Sequence, residues 1–262
     1  MVAYAMTNLE IQRIPVLGDN YVYLCRDRQT GACAAIDPSI APPVTAALER
    51  LGWKLTHILN THAHRDHTGG NMDLKRSTGC AVVGGKLDAG DIPGLDIAVN
   101  DGDAVKIGSS TAQVFHVPGH TAGHVAYWFE DDRALFCGDT LFALGCGRLF
   151  GGTPSQMWSS LARLRALPDD AVVYCAHEYA VANAAFALAV DPQNQALRCY
   201  AANIRAMRDA GRPPPPSTMA EERAANPFLR ADNESFKQAV GLAGKDAVET
   251  FAEIRRRKDG FT

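Results

Sequence analysis

The sequence lacks any apolar run approaching the roughly 18 to 20 residues that span a bilayer, which excludes a helical membrane protein. Its opening residues, Met1 to Glu10, carry neither the basic start and apolar stretch of a secretory signal nor the arginines of a transit peptide. A soluble, cytoplasmic protein is expected. Paired cysteines are missing as well. The seven cysteines are odd in number and no two form a CxxC pair, so free buried thiols are expected rather than a disulfide framework or a cysteine zinc site. There is no excess of positive charge: 26 Lys and Arg against 29 Asp and Glu leave −3, which implies no general affinity for nucleic acid. No internal repeat is present. What remains is a chain of 262 residues, enough for one large domain or one domain with a smaller companion. That length buries an ample core without help from oligomerisation, and a monomer is expected.

Short β-type segments come early, at Ile11–Leu17, Tyr21–Arg26 and Cys33–Asp37. Pro43–Gly52 has helical spacing and ends on a glycine suited to cap it. Leu55–Asn60 reads as a buried strand, Thr61–Gly70 as a loop, Asn71–Thr78 as a short helix and Ala81–Val83 as a strand. Thr111–Val117, Val125–Phe129, Ala134–Cys137 and Val172–Ala176 continue the strands, with a helix at Ser155–Leu167. This alternation predicts two sheets covered by helices. Beyond about Tyr179 the chain becomes Ala-rich with helical spacing at Val181–Val190, Asn194–Ala210 and Lys245–Arg257, broken by the prolines before Ser217. Two domains are expected, 1–180 and a small helical one at 181–262. The first carries 14 Lys and Arg against 19 Asp and Glu, the second 12 against 10.

The densest polar signal is Thr61-His62-Ala63-His64-Arg65-Asp66-His67, directly after an apolar strand. In extended chain His62 and His64 point to one side, because side chains alternate. The turn that follows can set Asp66 and His67 beside them. Imidazole with carboxylate suits Zn²⁺, Fe or Mn. Three more candidates arrive as apolar strands stop: His120, Asp139 and His177. Loops at strand ends are where functional groups gather. Taken singly, His120 and His177 read more readily as surface or packed residues; beside the HxHxDH run they form a set. Seven ligands exceed the four or five that one ion takes and suit two ions sharing one carboxylate. His57 and His116 read as structural, and His124 lies nearer the cluster.

HxHxDH followed by a Gly-His, a Gly-Asp and a third isolated His resembles the metallo-β-lactamase superfamily. The resemblance implies a mixed α/β fold, a four-layer αββα sandwich with the site at its edge. By motif position it implies one metal on His62, His64 and His120, a second on Asp66, His67 and His177, and Asp139 bridging them. Asp66 and Asp139 are then the catalytic carboxylates. Two close divalent ions can bridge a water, and zinc lowers the pKa of bound water to about 7. Hydrolysis of an ester, thioester, lactam or phosphodiester would follow. A thiol, with a pKa near 8.5, leaves without a dedicated acid.

Within that superfamily, nearly the whole chain is similar to the glyoxalase II, or hydroxyacylglutathione hydrolase, family. The matching segments are Gly18-Asp19-Asn20-Tyr21, Thr61–Asn71, Gly119–His124, Cys137–Phe142, Gly145–Phe150, His177-Glu178-Tyr179, Asn226–Arg230 and Arg255–Asp259. The resemblance implies that Arg148, Tyr179, Arg255 and Lys258 contact glutathione, with Asn183 as a further candidate. Glutathione is net negative and arginine pairs with carboxylates in two-point fashion. Without the resemblance, Arg255–Lys258 reads as a solvated helix end. Some family members have Lys at position 148 and Tyr at position 150, where this chain has Arg148 and Phe150. Met1–Ala5 precede the matching part, leaving Met6 as an alternative start. The implied reaction is hydrolysis of S-D-lactoylglutathione to glutathione and D-lactate, a step of methylglyoxal detoxification. Its cofactors are two divalent ions, zinc first, with iron or manganese as alternatives. One rival is a glutathione persulfide dioxygenase-like enzyme of the same fold with a single iron; such chains generally lack a helical C-terminal domain. Another is a metal-dependent binding module, which loss of ligands would mark, yet all seven are present.

Overall fold

The computed structural model describes residues 8–214 and 216–261; the choice between Met1 and Met6 as start lies outside the described residues. The chain packs as two compact units, residues 8–116 with 123–138, and residues 117–122 with 139–261. No helix among the described residues is long and apolar enough to cross a membrane. All seven cysteines are free thiols, and Cys199 is the exposed one.

The first unit begins with the antiparallel strands β1 (Leu9–Val16), β2 (Asn20–Asp27) and β3 (Cys33–Ile36). From β3 the sheet continues in parallel through β4 (Leu55–Leu59), β5 (Ala81–Gly85) and β6 (Ile97–Val99). Parallel neighbours need crossovers. Here α1 (Ala41–Leu51) links β3 to β4, and α2 (Arg65–Thr68) with α3 (Asn71–Thr78) links β4 to β5. Prolines open α1, where a missing N–H costs nothing, and Gly52 ends it in the left-handed conformation. Val44 and Leu48 of α1 and Leu74 of α3 pack on Val22, Leu24, Ile58 and Val82. Alternation sends Tyr23 to the opposite face of β2. There its ring meets Phe136, with centroids 5.6 Å apart. Phe136 belongs to an antiparallel second sheet made in this unit by β7 (Ala104–Ile107), β8 (Ser110–His116), β9 (Val125–Phe129) and β10 (Ala134–Gly138).

One buried carboxyl ties these two sheets. Asp27 at the end of β2 accepts from the backbone N–H and hydroxyl of both Ser109 and Ser110 in the β7–β8 turn. It also accepts from Thr30 and Asn8.

The second unit contains the hairpin β11 (Leu141–Phe142) and β12 (Gly145–Cys146), then α4 (Pro154–Arg165), β13 (Val172–Cys175), α5 (Ala180–Val190) and α6 (Gln195–Asp209). The two-residue strand β14 (Ser217–Thr218) pairs with β13, followed by α7 (Met219–Ala225), α8 (Glu234–Ala239) and α9 (Ala247–Asp259). Capping boxes start α4, α7 and α9: Thr153 with Gln156, Thr218 with Glu221, and Asp246 with Glu249. Ala184 and Ala187 of α5 pack against Leu197, Ala201 and Ile204 of α6. Glu222 of α7 is fully buried and accepts from Leu144 N–H, Asn226 Nδ2 and the Tyr200 hydroxyl. Burial pushes its carboxyl up to about 7 against the pull of those donors.

The expected elements recur with ends moved by at most two residues, and α3 and β9 lie where they are expected. The last helix shifts from Lys245–Arg257 to Ala247–Asp259 because Asp246 caps it. A helical turn, α2, replaces part of the loop expected at Thr61–Gly70. The strands β6, β7, β11, β12 and β14 are two to four residues long, too short to carry a periodicity.

Removing the Asp27 carboxyl leaves several buried donors without a partner. Asp27→Ala should cost about 2–4 kcal/mol in urea unfolding. Glu222 holds its proton to higher pH when folded than when unfolded. Its contribution to stability is therefore full below about 4.5 and is lost as pH rises through about 7. Relative to Glu222→Gln, the native protein should lose about 2–3 kcal/mol between pH 5 and pH 8, read by urea unfolding at both values.

Candidate metal centre

The HxHxDH segment leaves the carboxyl end of β4 and turns through α2. His62 Nε2 and His64 Nδ1 come within 3.0 Å. The His62 and His67 rings lie 4.0 Å apart, and His67 Nε2 is 3.5 Å from Asp66 Oδ2. His62 and His67 are buried. The expected same-side arrangement of His62 and His64, with Asp66 and His67 turned in beside them, is what this unit builds.

Asp37, which sequence reading did not single out, holds this arrangement from beneath. It follows β3, is buried, and takes a positive φ of 49°. Its carboxyl accepts from the Thr61 backbone N–H and hydroxyl, both at 2.7 Å, and lies 3.1 Å from His67 Nδ1. The Asp37 carboxylate faces His67 Nδ1, and Asp66 faces His67 Nε2. The Thr61 hydroxyl has given its proton to Asp37, so at 3.1 Å it accepts from His62 Nδ1. His62 Nε2 then faces His64 Nδ1. Hydrogen bonds to the nitrogen facing away from the ion set imidazole orientation in metal sites. Other supports come from residues outside the motif. Asn20 donates to the backbone and carboxylate oxygens of Asp66, Asn60 to the His67 carbonyl, and Asp88 accepts from Ala63 N–H. His124 stacks on His62, centroids 4.7 Å apart. Gly138 must be glycine: at φ +49°, a Cβ would come within 2.3 Å of the Thr61 hydroxyl.

The second unit arranges the remaining ligand candidates around Asp139. One carboxylate oxygen lies 3.4 Å from His120 Nε2, and the other 3.4 Å from His177 Nε2. The Arg148 carbonyl accepts from His120 Nδ1 at 2.8 Å, leaving Nε2 as the lone pair. The His177 ring stacks on Tyr179 at 4.9 Å with parallel planes.

These donor atoms fit a metal. Four tetrahedral ligands at about 2.0–2.1 Å from an ion stand about 3.3 Å from one another. The four spacings within the two units run from 3.0 to 3.5 Å. All seven residues belong to His and Asp groups able to hold a metal ion.

A cavity of about 410 Å³ in the second unit is lined by His120 and Asp139 together with Arg148, Tyr179, Asn183, Arg255 and Lys258. The five substrate-contact candidates are thus gathered beside two metal-ligand candidates. They differ in freedom. The Arg148 side chain is exposed, whereas Arg255 is buried, donating to the Cys146 carbonyl at 3.0 Å and to Asp259. Lys258 is half-buried, donates to the Ala182 carbonyl, and lies over the Phe186 ring. Burial lowers its pKa, and the neighbouring Arg255 and Arg148 add to that. The Asn183 amide donates to the Ala143 carbonyl. Phe150 is exposed and meets His120 edge-on. Cys146 also lines the wall, but burial pushes its thiol up to about 11. It is protonated at neutral pH and is no nucleophile.

Residues 16–177 match the family model of the metallo-beta-lactamase superfamily, and residues 178–261 match that of the hydroxyacylglutathione hydrolase C-terminus. A hydroxyacylglutathione hydrolase of Rhodospirillum rubrum is 56% identical over 256 residues, covering 98% of this chain and 100% of that one. Its counterpart from Methylococcus capsulatus is 57% identical over 253 residues, covering 97% and 99%. The chain belongs to the hydroxyacylglutathione hydrolase family of the metallo-β-lactamase superfamily. The crystal structure of ETHE1 from Myxococcus xanthus is similar with a TM-score of 0.67 at 27% identity, covering 94% of this chain and 90% of that one. The mixed α/β fold is that of the superfamily, and the helical C-terminal region is that of the hydroxyacylglutathione hydrolase family.

Asp37→Ala should weaken metal affinity by about 10–100-fold, since losses of such supporting contacts fall in that range. Competition with a chromogenic chelator measures it; an affinity within twofold of native would reject the role given to Asp37.

Proposed function

We propose that this chain is a thioesterase that hydrolyses S-(2-hydroxyacyl)glutathione, chiefly S-D-lactoylglutathione, to glutathione and D-lactate. The observation that carries this reading is the cavity in which His120 and Asp139 share a wall with Arg148, Tyr179 and Lys258. Residues 1–180 would serve as the catalytic part and 181–262 as the glutathione-binding part, in a cytoplasmic monomer.

His62, His64 and His120 would hold one divalent ion, and Asp66, His67 and His177 a second, with Asp139 shared. Zinc is the first expectation and iron or manganese the alternatives. Such a pair supplies an activated water at neutral pH and polarises the carbonyl under attack.

The protein's own groups do the rest. Asp37 orients His62 through Thr61 and places its carboxylate beside His67 Nδ1. The Arg148 carbonyl does the same for His120. Asp139 presents one oxygen to each of two imidazoles. The glutathione moiety, net negative, would be drawn into the cavity by Arg148 and Lys258, with Arg255 adding charge while its N–H groups hold the wall. Asn183 and the exposed Tyr179 ring line the same space. No acid is needed at the leaving group, because a thiol of pKa near 8.5 departs readily as thiolate.

Release of free glutathione from S-D-lactoylglutathione, with metal content measured alongside, tests the reading. Two divalent ions per chain and a preference over an acyl thioester lacking the peptide are expected. One iron per chain with oxygen uptake on glutathione persulfide would overturn it. Asp139→Ala should lower kcat by more than about a thousandfold. Lys258→Ala should act mainly on KM, raising it about tenfold, as loss of a contact remote from the reacting bond does.

A further inference from the structure

The turn between β11 and β12 is held from inside by Asn226 and Glu222, which do not line the cavity, and by Asn183, which does. Asn226 Nδ2 donates to the carbonyls of Phe142 and Gly145 at 3.2 and 3.0 Å. Glu222 Oε2 accepts from Leu144 N–H at 3.0 Å and from Asn226 at 2.9 Å, while the Tyr200 hydroxyl donates to the other oxygen. Asn183 donates to the Ala143 carbonyl at 3.0 Å. Glu222 and Asn226 are fully buried. Leu144 sits at φ +56°, a conformation that a non-glycine residue keeps only where its surroundings impose it.

The residues that follow this turn are the cavity wall. Cys146 offers its carbonyl to Arg255. Gly147 packs so closely on the Asp139 carbonyl that a Cβ would come within 2.0 Å. Arg148 sends its side chain into the cavity lining. Apolar residues of similar size at 222 and 226 would fill the same space yet leave Leu144 N–H without its acceptor and strip the Phe142 and Gly145 carbonyls, which pair across the hairpin, of their side-chain donor. The polar identity of these side chains therefore concerns the shape of the turn rather than its burial.

We infer that Glu222 and Asn226 are positioning residues for the reaction: by fixing the Phe142–Gly145 turn they set the Cys146–Arg148 wall that receives the glutathione moiety. This rests on the thioesterase reading above.

The test compares native protein with Asn226→Ala, Glu222→Ala and Glu222→Gln on S-D-lactoylglutathione and on a short acyl thioester lacking the peptide, with metal content recorded. The alanine variants should raise KM for the glutathione thioester about tenfold, change kcat/KM on the peptide-free thioester less than about threefold, and keep their metal. Glu222→Gln can still accept from Leu144 N–H and donate to the Tyr200 oxygen, and should bring KM back to within about threefold of native. Should an alanine variant not fold, Asn226→Asp makes the same comparison, since it has the same size and cannot donate to Phe142 and Gly145. Unchanged KM, equal losses on both thioesters, or a Glu222→Gln no better than Glu222→Ala would each overturn the inference. A native protein that treats the two thioesters alike overturns the thioesterase reading and this inference with it. A native preference with unaffected variants overturns this inference alone.

Discussion

A histidine binds a metal through a lone pair, so a cluster of histidines is useful only if each ring has its proton on the far nitrogen. In the first unit Asp37 bears on that condition. Its carboxyl accepts from the Thr61 hydroxyl, which in turn meets His62 Nδ1, and it stands 3.1 Å from His67 Nδ1. The Thr61 backbone N–H bonds to the same carboxyl, so the segment leaving β4 is fixed by the group that fixes the rings. Asn20 and Asn60 extend the hold to Asp66 and His67. Asp37 and Asn60 follow the parallel strands β3 and β4, and Asn20 opens the antiparallel β2, so three neighbouring strands bring these supports to one edge of the sheet.

The second unit solves a different problem. It must present cations to a polar ligand while keeping a wall in one shape. Arg148, Arg255 and Lys258 crowd one cavity, and each disfavours a further positive charge beside it. Asp259 relieves part of that, taking Arg255 directly and lying 3.9 Å from Arg148. The arginine committed to the wall is the buried one, and the arginine open to solvent is the one free to meet a ligand. Beneath the wall, Glu222 accepts from the Leu144 N–H of the turn, and Asn226 adds a donor to the Phe142 and Gly145 carbonyls that pair across the hairpin.

The HxHxDH run, the strand-end positions of His120, Asp139 and His177, and most of the longer helices and strands were legible in the sequence. The reason is locality. Ligands within six residues of each other announce themselves by spacing, and amphipathic periods and capping boxes are properties of neighbouring residues. The cationic tail was legible only through resemblance, because Arg255 to Lys258 taken alone is an ordinary helix end. Tertiary structure decided what locality could not carry. Asp37 stands 24 residues from Thr61, and Asn226 stands 84 and 81 residues from the carbonyls of Phe142 and Gly145. Nothing in an Ala-Ile-Asp-Pro segment or an isolated glutamate marks such a partner. Which arginine is buried, which histidine nitrogen carries the proton, and which turn needs an internal clamp all depend on groups distant in the chain meeting in space.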